Sequence, residues 1–169
     1  TACAERDQVQ WLSPLGFNNT YAIGMKRARA AALGIDRISQ LAAHPALRLG
    51  FTSEFMDRED GWPGLRQAYG LRHENARGLD HDLAYRGLEA GSLDVTDLYS
   101  TDADIRYYDL RVLADDREYF PVYDAVLLYR EDLETRSPEV VRALLRMEGA
   151  ISESQMILMN TQAKVDRIP

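Results

Sequence analysis

The chain has 169 residues, of which 46% are hydrophobic and 28% are charged, and its formal net charge is -7 at pH 7. This length and composition predict one globular domain, or two small lobes at most. The acidic balance argues against a nucleic-acid partner, which needs a concentrated basic face. The sequence contains no run of about 18 apolar residues, the length that would indicate a membrane span. The lone Cys3 excludes an internal disulfide.

Short apolar runs alternate with helical patterns along the chain, which predicts an α/β fold. Gly34, Gly70 and Gly91 are typical of helix C-termini. Asp80 and Ser152 are suitable N-caps. In chain order, the predicted elements are a helix over 2–8, strands over 9–12 and 21–25, a helix over 26–33, a helical turn over 38–42, a strand over 47–51, helices over 62–69 and 80–90, strands over 93–98, 110–113 and 122–129, a helix over 138–147, and a last helix from 152.

The residue patterns of common catalytic and metal sites are absent from the sequence. His44, His73 and His81 lack metal-ligand spacing, and a single cysteine cannot form a zinc cluster. Asp102 and Asp104 fit a catalytic carboxylate pair and equally fit an acidic helix start that faces water. We therefore expect no enzyme activity, no metal and no cofactor.

Tyrosine is the unusual feature of the composition, with nine tyrosines against two tryptophans and four phenylalanines. Tyr21, Tyr99 and Tyr123 fall at the ends of predicted strands, where α/β sheets present ligand-contacting residues. Electron-rich ring faces can hold a quaternary ammonium ion, which has no hydrogen-bond donor of its own. The alternative is that each ring packs in the core with its hydroxyl in water.

Four motifs occur in an order that resembles the osmoprotectant-binding proteins of ABC importers, which bind glycine betaine, choline or carnitine. The motifs are WLSPLGFNNTYA at 11–22, EFMDREDGWPGL at 54–65, GLEAGSLDVTDLYSTD at 87–102 and DDREYFPVY at 115–123. Any one of them would be a weak signal, whereas four in the family's order are a specific one. The resemblance extends from about Trp11 to the C-terminus.

The resemblance implies a type II periplasmic-binding-protein fold, in which two α/β lobes joined by two crossing strands close on the ligand. The crossovers are expected near 17–19 and 120–123. The segment 1–18 would then end the first lobe, 19–122 would form the second ligand-binding lobe, and 123–169 would return to the first lobe. The opening part of the first lobe, as the resemblance implies it, is missing from this chain.

The resemblance also implies the residues of the site. The positions that match the family's ligand contacts are Asn19, Tyr21, Arg58, Tyr99, Thr101 and Tyr123. The three tyrosines would form an ammonium cage, Arg58 would clamp a ligand carboxylate, and Asn19 and Thr101 would add hydrogen bonds. For Arg58 the alternative is a solvated surface side chain among acidic neighbours.

The expected function is reversible capture of a quaternary amine at a periplasmic or membrane-anchored extracytoplasmic location, with the importer's permease subunits as partners. A ligand-sensing regulatory domain of the same fold is the alternative, and a carboxylate-based hydrolase is a third hypothesis. Several apolar side chains of the C-terminal part would lack the first lobe's cover: Val126, Leu127, Leu128, Val140, Val141, Leu144, Leu145, Met156 and Met159. We expect a second copy to cover them in a homodimer, although repacking or an upstream segment would also do so.

Overall fold

The structure is a computed structural model that describes residues 8–164. Cys3 and nearly all of the helix predicted over 2–8 lie outside the described residues. The strands are β1 (Val9–Trp11), β2 (Tyr21–Lys26), β3 (Gly50–Thr52), β4 (Arg77–Leu79), β5 (Val95–Tyr99), β6 (Leu110–Val112) and β7 (Leu128–Arg130). The helices are α1 (Arg27–Leu33), α2 (Ser53–Asp57), α3 (Trp62–Tyr69), α4 (His81–Glu89), α5 (Asp104–Tyr107), α6 (Leu133–Arg136), α7 (Pro138–Leu145) and α8 (Glu153–Lys164), with a 3-10 helix at Ile38–Ala43.

Five strands form the central layer and confirm the α/β prediction. β2 pairs antiparallel with both β5 and β6, and β3 pairs parallel with β4. An isolated parallel bridge between Leu49 and Val95 places β3 beside β5. The strand order is therefore β4-β3-β5-β2-β6, which brings the ends of β3, β4 and β5 to one edge of the layer.

Side chains from both faces of this layer are buried. Along β2, Ile23 and Met25 pack into one apolar cluster, whereas Ala22 packs against the other. This alternation is the period of two that a strand covered on both faces requires. Gly24 lies so close to the Leu98 side chain that an added Cβ would overlap it. The sheet is thus covered by helices on both faces, and each fully buried Ile, Leu or Phe contributes roughly 1.5–3 kcal/mol.

Two segments outside this layer run antiparallel to each other, where the resemblance implies the crossing strands. β1 pairs with β7, and an isolated antiparallel bridge joins Asn18 to Asp124. The Asn19 N–H donates to the Tyr123 carbonyl (3.0 Å), and the Ala125 N–H donates to the Phe17 carbonyl (3.1 Å). The chain therefore enters and leaves the five-stranded unit through adjacent connections.

The strand predicted over 122–129 is wrong in extent, because a regular ladder covers only Leu128–Arg130. Residues 122–127 lie opposite a segment that contains Pro14, which has no N–H to donate, and Gly16, whose φ is +115°. Pairing there consists of separate hydrogen bonds, such as Leu15 N–H to Ala125 O (2.8 Å). Val122 is 71% exposed, so this apolar run is not buried as its composition suggests.

Other departures from the predictions have local causes. The third strand is Gly50–Thr52 and does not begin at Leu47, because the Leu47 N–H closes a turn on the His44 carbonyl (3.1 Å). The expectation that Asp104 faces water is wrong, because its side chain is buried and receives a hydrogen bond from Lys164 (2.7 Å). Three short elements were not predicted because they span too few residues for periodicity: α2, β4 and α6.

The C-terminal helix α8 docks on the five-stranded unit. The Asn160 amide donates to the Thr101 carbonyl (2.9 Å), and the Lys164 ammonium donates to Asp82 (3.2 Å) as well as to Asp104. These contacts join the end of the described chain to the edge of the sheet where β5 ends. Within residues 8–164, no helix combines the length and the apolar character needed to cross a membrane.

Candidate functional site

Two tyrosine rings meet at the edge where β2 begins and β5 ends. Tyr21 and Tyr99 are direct cross-strand partners, so their side chains lie on the same face of the sheet. Their ring centroids are 4.8 Å apart with planes tilted by 32°, and the Tyr99 hydroxyl donates to the Tyr21 hydroxyl (3.2 Å). Burial raises the pKa of Tyr21, and the hydrogen bond with Tyr99 raises it further. The raised pKa keeps Tyr21 neutral at neutral pH, and the pair presents two electron-rich rings.

Hydrogen bonds link the other candidate residues at this edge. The Thr101 hydroxyl donates to the Asn19 side-chain oxygen (2.6 Å). Tyr123 lies beside them, because its N–H donates to the Asn18 side chain (2.8 Å) and its carbonyl accepts from Asn19. The Tyr123 side chain is 42% exposed and stacks on no other ring within the described residues. The sequence-predicted residues thus lie together, but the ring contact involves two of the three tyrosines.

Arg58 lies over the face of Tyr21, with its guanidinium carbon 5.9 Å from the ring centroid. It follows the last residue of α2, where its backbone turns to an extended conformation. Two of its nitrogens donate to the Asp60 carboxylate at 2.8 and 2.7 Å, and a third lies 3.6 Å from Glu54. The hydrogen bonds with Asp60 raise the pKa of Arg58 and lower the pKa of Asp60. Arg58 is therefore exposed but already paired.

A cavity of about 410 Å³ opens beside the tyrosine pair. Its lining residues come from the ends of β3, β4 and β5 and from the starts of α2 and α4: Thr52, Ser53, Glu54, Leu79, Asp80, His81 and Tyr99. The buried Asp97 fixes one wall, because it accepts hydrogen bonds from both the N–H and the hydroxyl of Thr52 (2.7 Å each). Burial raises the pKa of Asp97, and these hydrogen bonds oppose that shift.

Asp102 is hydrogen-bonded to the backbone of Tyr99. It accepts hydrogen bonds from the Tyr99 N–H (2.9 Å) and the Tyr85 hydroxyl (2.6 Å), and His81 lies 3.3 Å away. Burial raises the pKa of Asp102, but the hydrogen bonds from His81, Tyr85 and Tyr99 outweigh it and leave the pKa below its usual value. The hydrogen bond with Asp102 raises the pKa of His81. The expectation that Asp102 faces water is therefore wrong.

Comparison with known proteins agrees with this arrangement. Over residues 1–168 the chain matches the family described as the substrate binding domain of the ABC-type glycine betaine transport system. The chain belongs to this family. This result confirms the resemblance found in the four motifs, and it places the chain among transporter binding proteins, which are not an enzyme family.

This member of the glycine betaine family is similar to two curated relatives and to one solved structure. The ergothioneine transport permease/ergothioneine binding protein EgtU of Helicobacter pylori is 33% identical over 92% of this chain and 28% of its own length. The carnitine transport binding protein OpuCC of Listeria monocytogenes is 30% identical over 94% of this chain and 52% of its own length. A crystal structure of a glycine betaine/carnitine/choline ABC transporter protein aligns with a TM-score of 0.84 and 34% identity, covering 98% of this chain and 61% of that chain.

These matches confirm the type II periplasmic-binding-protein fold expected from the sequence. The chain spans about half the length of the carnitine-binding relative and a smaller share of the ergothioneine-binding one. The division into lobes at residues 18 and 122 and the six ligand contacts stay predictions. Carnitine and ergothioneine are named in the descriptions of the two relatives, and glycine betaine, carnitine and choline in that of the solved structure.

Sequence reasoning missed several residues that shape the site of this family member. Asp60, two residues after Arg58 in the chain, forms an ion pair with it, and Glu54, four residues before Arg58, also lies close to it. The four-residue spacing is a recognisable helix pairing and could have identified Glu54. The contacts of Asp102 with His81 and Tyr85 depend on the packing of α4 against the end of β5, which no spacing in the sequence shows.

Proposed function

We propose that this chain is the ligand-binding part of an ABC importer for quaternary-ammonium compounds such as glycine betaine, carnitine or choline, and that it holds its ligand without transforming it. The observation that carries this proposal is the contact of the Tyr21 and Tyr99 rings at 4.8 Å, with Arg58 above Tyr21. The pair supplies a ring surface for the ammonium group, and Arg58 is the group that could meet a carboxylate.

The chemistry of a quaternary ammonium ion suits this edge of the sheet. The ion donates no hydrogen bonds, so it is bound by ring faces and by desolvation. Glu54, Asp60 and Asp80 surround the rings and the cavity with negative charge, while Arg58 is the neighbouring cation already paired with two of them. A cation approaching Tyr99 therefore enters an environment of favourable potential.

We propose that the segment 19–122 is one lobe of a two-lobed binding protein, and that 1–18 and 123–169 belong to the other. Support comes from the antiparallel connections between β1 and β7 and between Asn18 and Asp124, which lie side by side as a hinge would. The second lobe would contribute Asn19, Tyr21, Arg58, Tyr99 and Thr101, and Tyr123 would lie at the hinge. The other lobe would supply the remaining walls of the ammonium cage.

We infer that the partners of the protein are the permease subunits of the importer, and that binding takes place on the extracytoplasmic side of the membrane. The name of the ergothioneine relative combines a permease with a binding protein, which supports a direct association between these two functions. Anchoring of this protein to the membrane is part of the same proposal.

Calorimetric titration of the two-lobed protein that carries this chain tests the function. Glycine betaine and glycine differ by three methyl groups on nitrogen, so they form a matched ligand pair. We expect binding of glycine betaine, choline or carnitine and no measurable binding of glycine, because the unmethylated ammonium retains its hydrogen-bonded water. Equal binding of glycine and glycine betaine would contradict the proposal. So would a failure of the protein to bind glycine betaine, choline and carnitine.

A further inference from the structure

Asp60 accepts hydrogen bonds from the guanidinium of Arg58 in the way that a ligand carboxylate would. Its two oxygens accept from Nε and Nη2 of Arg58 at 2.8 and 2.7 Å, which is the two-point geometry by which arginine binds carboxylates. Glu54 lies 3.6 Å from the third nitrogen. The donors of Arg58 therefore face carboxylates of the protein itself.

The turn that carries Asp60 is held in place by hydrogen bonds to its backbone atoms. The Gly61 N–H donates to the Arg58 carbonyl (3.0 Å), and the Tyr119 hydroxyl donates to the Asp60 carbonyl (3.0 Å). A Cβ on Gly61 would collide with the Phe55 carbonyl oxygen, so only glycine allows this close approach. Asp60 is thus presented to Arg58 by a fixed turn and not by a chance surface encounter.

The charges at this position have opposite consequences for two classes of ligand. Arg58 contributes one positive charge over the Tyr21 ring, while Asp60 and Glu54 contribute two negative charges beside Arg58. The local balance favours a cation. A ligand that also carries a carboxylate must displace Asp60 from Arg58 or bind beside it, whereas a ligand with an uncharged tail meets no such competitor.

We propose that Asp60 is a specificity-determining residue, an internal competitor for the ligand carboxylate at Arg58 that favours quaternary amines with uncharged tails over those with carboxylates. This inference rests on the proposed function and assigns to Asp60 a role distinct from that of Arg58. Asp60 does not touch the ammonium group. It acts by occupying the donors that a carboxylate requires.

The ratio of glycine betaine to choline affinity in the two-lobed protein tests this proposal. Asp60→Asn and Asp60→Ala both remove the competing charge, and we expect glycine betaine to bind roughly three- to tenfold more tightly and choline to bind unchanged or up to about threefold more weakly. Asp57→Asn and Glu59→Gln are matched controls, since these flanking residues form no ion pair within residues 8–164. We expect both controls to leave the ratio near that of the wild type.

The possible outcomes separate this inference from the function on which it rests. An unchanged ratio in both Asp60 variants would overturn the inference. Weaker glycine betaine binding in both would also overturn it and would show that Asp60 orients Arg58 for the ligand. Equal shifts in the Asp57 and Glu59 variants would overturn it as well, because net charge alone would then explain the effect. If the wild-type protein binds neither ligand, the proposed function fails instead.

Discussion

Tyr21 and Tyr99 are direct partners across β2 and β5, and this register brings their rings to 4.8 Å and their hydroxyls to 3.2 Å. Because Tyr21 begins one strand and Tyr99 ends the other, the contact lies at the rim of the sheet and not within it. A ring pair at a rim can remain packed while one face stays available to a ligand. The first prediction concerns that face.

Replacing Tyr99 with Ala in the two-lobed protein removes one ring of the pair. We expect the affinity for choline to fall about two- to thirtyfold, since a cation–π contact contributes roughly 0.5–2 kcal/mol. Tyr99→Phe retains the ring and should lose little. Tyr107→Ala is the control, because that ring, at the end of α5, is 61% exposed and packs against the neighbouring Tyr108. Calorimetry showing equal losses for Tyr99→Ala and Tyr107→Ala would argue against a specific ring contact.

Replacing Arg58 with Ala should weaken glycine betaine much more than choline, which has no carboxylate. Loss of a charge-assisted contact is expected to lower the affinity for glycine betaine roughly thirty- to a thousandfold. Arg142→Ala, an exposed position on α7, provides a control with the same change of charge. Equal losses for the two ligands, measured by calorimetry, would show that Arg58 supports the fold and does not contact the carboxylate.

The pH dependence of stability should report the contact between His81 and Asp102. Hydrogen bonding to Asp102 raises the pKa of His81, Asp97 acts in the same direction, and Lys164 opposes it. A raised folded-state pKa stabilises the protein fully below the unfolded pKa of about 6.5, and this stabilisation is lost as pH rises through the folded-state value. Urea unfolding should therefore show wild type losing stability relative to His81→Gln as pH rises from about 6 to about 8.

His44→Gln is the control for that experiment, because His44 forms no ion pair within the described part of the chain. We expect its unfolding free energy to follow the wild-type pH dependence. Parallel pH profiles for wild type and His81→Gln would show that the contact with Asp102 does not couple to folding.

The apolar face of the C-terminal part should drive self-association of this chain. Of the nine side chains expected to lack cover, Val141 is buried, so the expectation is wrong for it, whereas five are at least 41% exposed: Val126, Leu128, Val140, Leu145 and Met159. Because each is already partly buried, covering it would contribute less than the roughly 1.5–3 kcal/mol of a complete burial. We expect light scattering to give the mass of a dimer and Leu128→Lys to shift it toward monomer. Leu83→Lys is the control, at a leucine on α4 that is 53% exposed against 62% for Leu128. A wild-type monomer at micromolar concentration would contradict self-association.

The sequence predicted the parts of this molecule that depend on local pattern. β2 and α3 were placed within a residue of their observed bounds, because alternation and a terminal glycine mark them clearly. The meeting of Tyr21 with Tyr99 came from the family resemblance. No local pattern in either strand indicates that the two residues are partners.

What the sequence did not predict depends on contacts between distant segments. The pairing of Arg58 with Asp60 depends on the tight turn at Gly61, and acidic neighbours alone suggested only a solvated arginine. Residues 122–127 have the composition of a buried strand, yet the turn opposite them prevents a continuous ladder. In both cases the backbone of another segment decides the outcome, and composition carries no information about it.

The most direct test of the central claim is a crystal structure of the two-lobed protein with choline. We predict that the ammonium nitrogen lies within about 6 Å of the ring centroids of both Tyr21 and Tyr99, on the side where the cavity opens. An ammonium group bound elsewhere, with both of these rings free of ligand, would contradict the assignment of this edge as the quaternary-amine site.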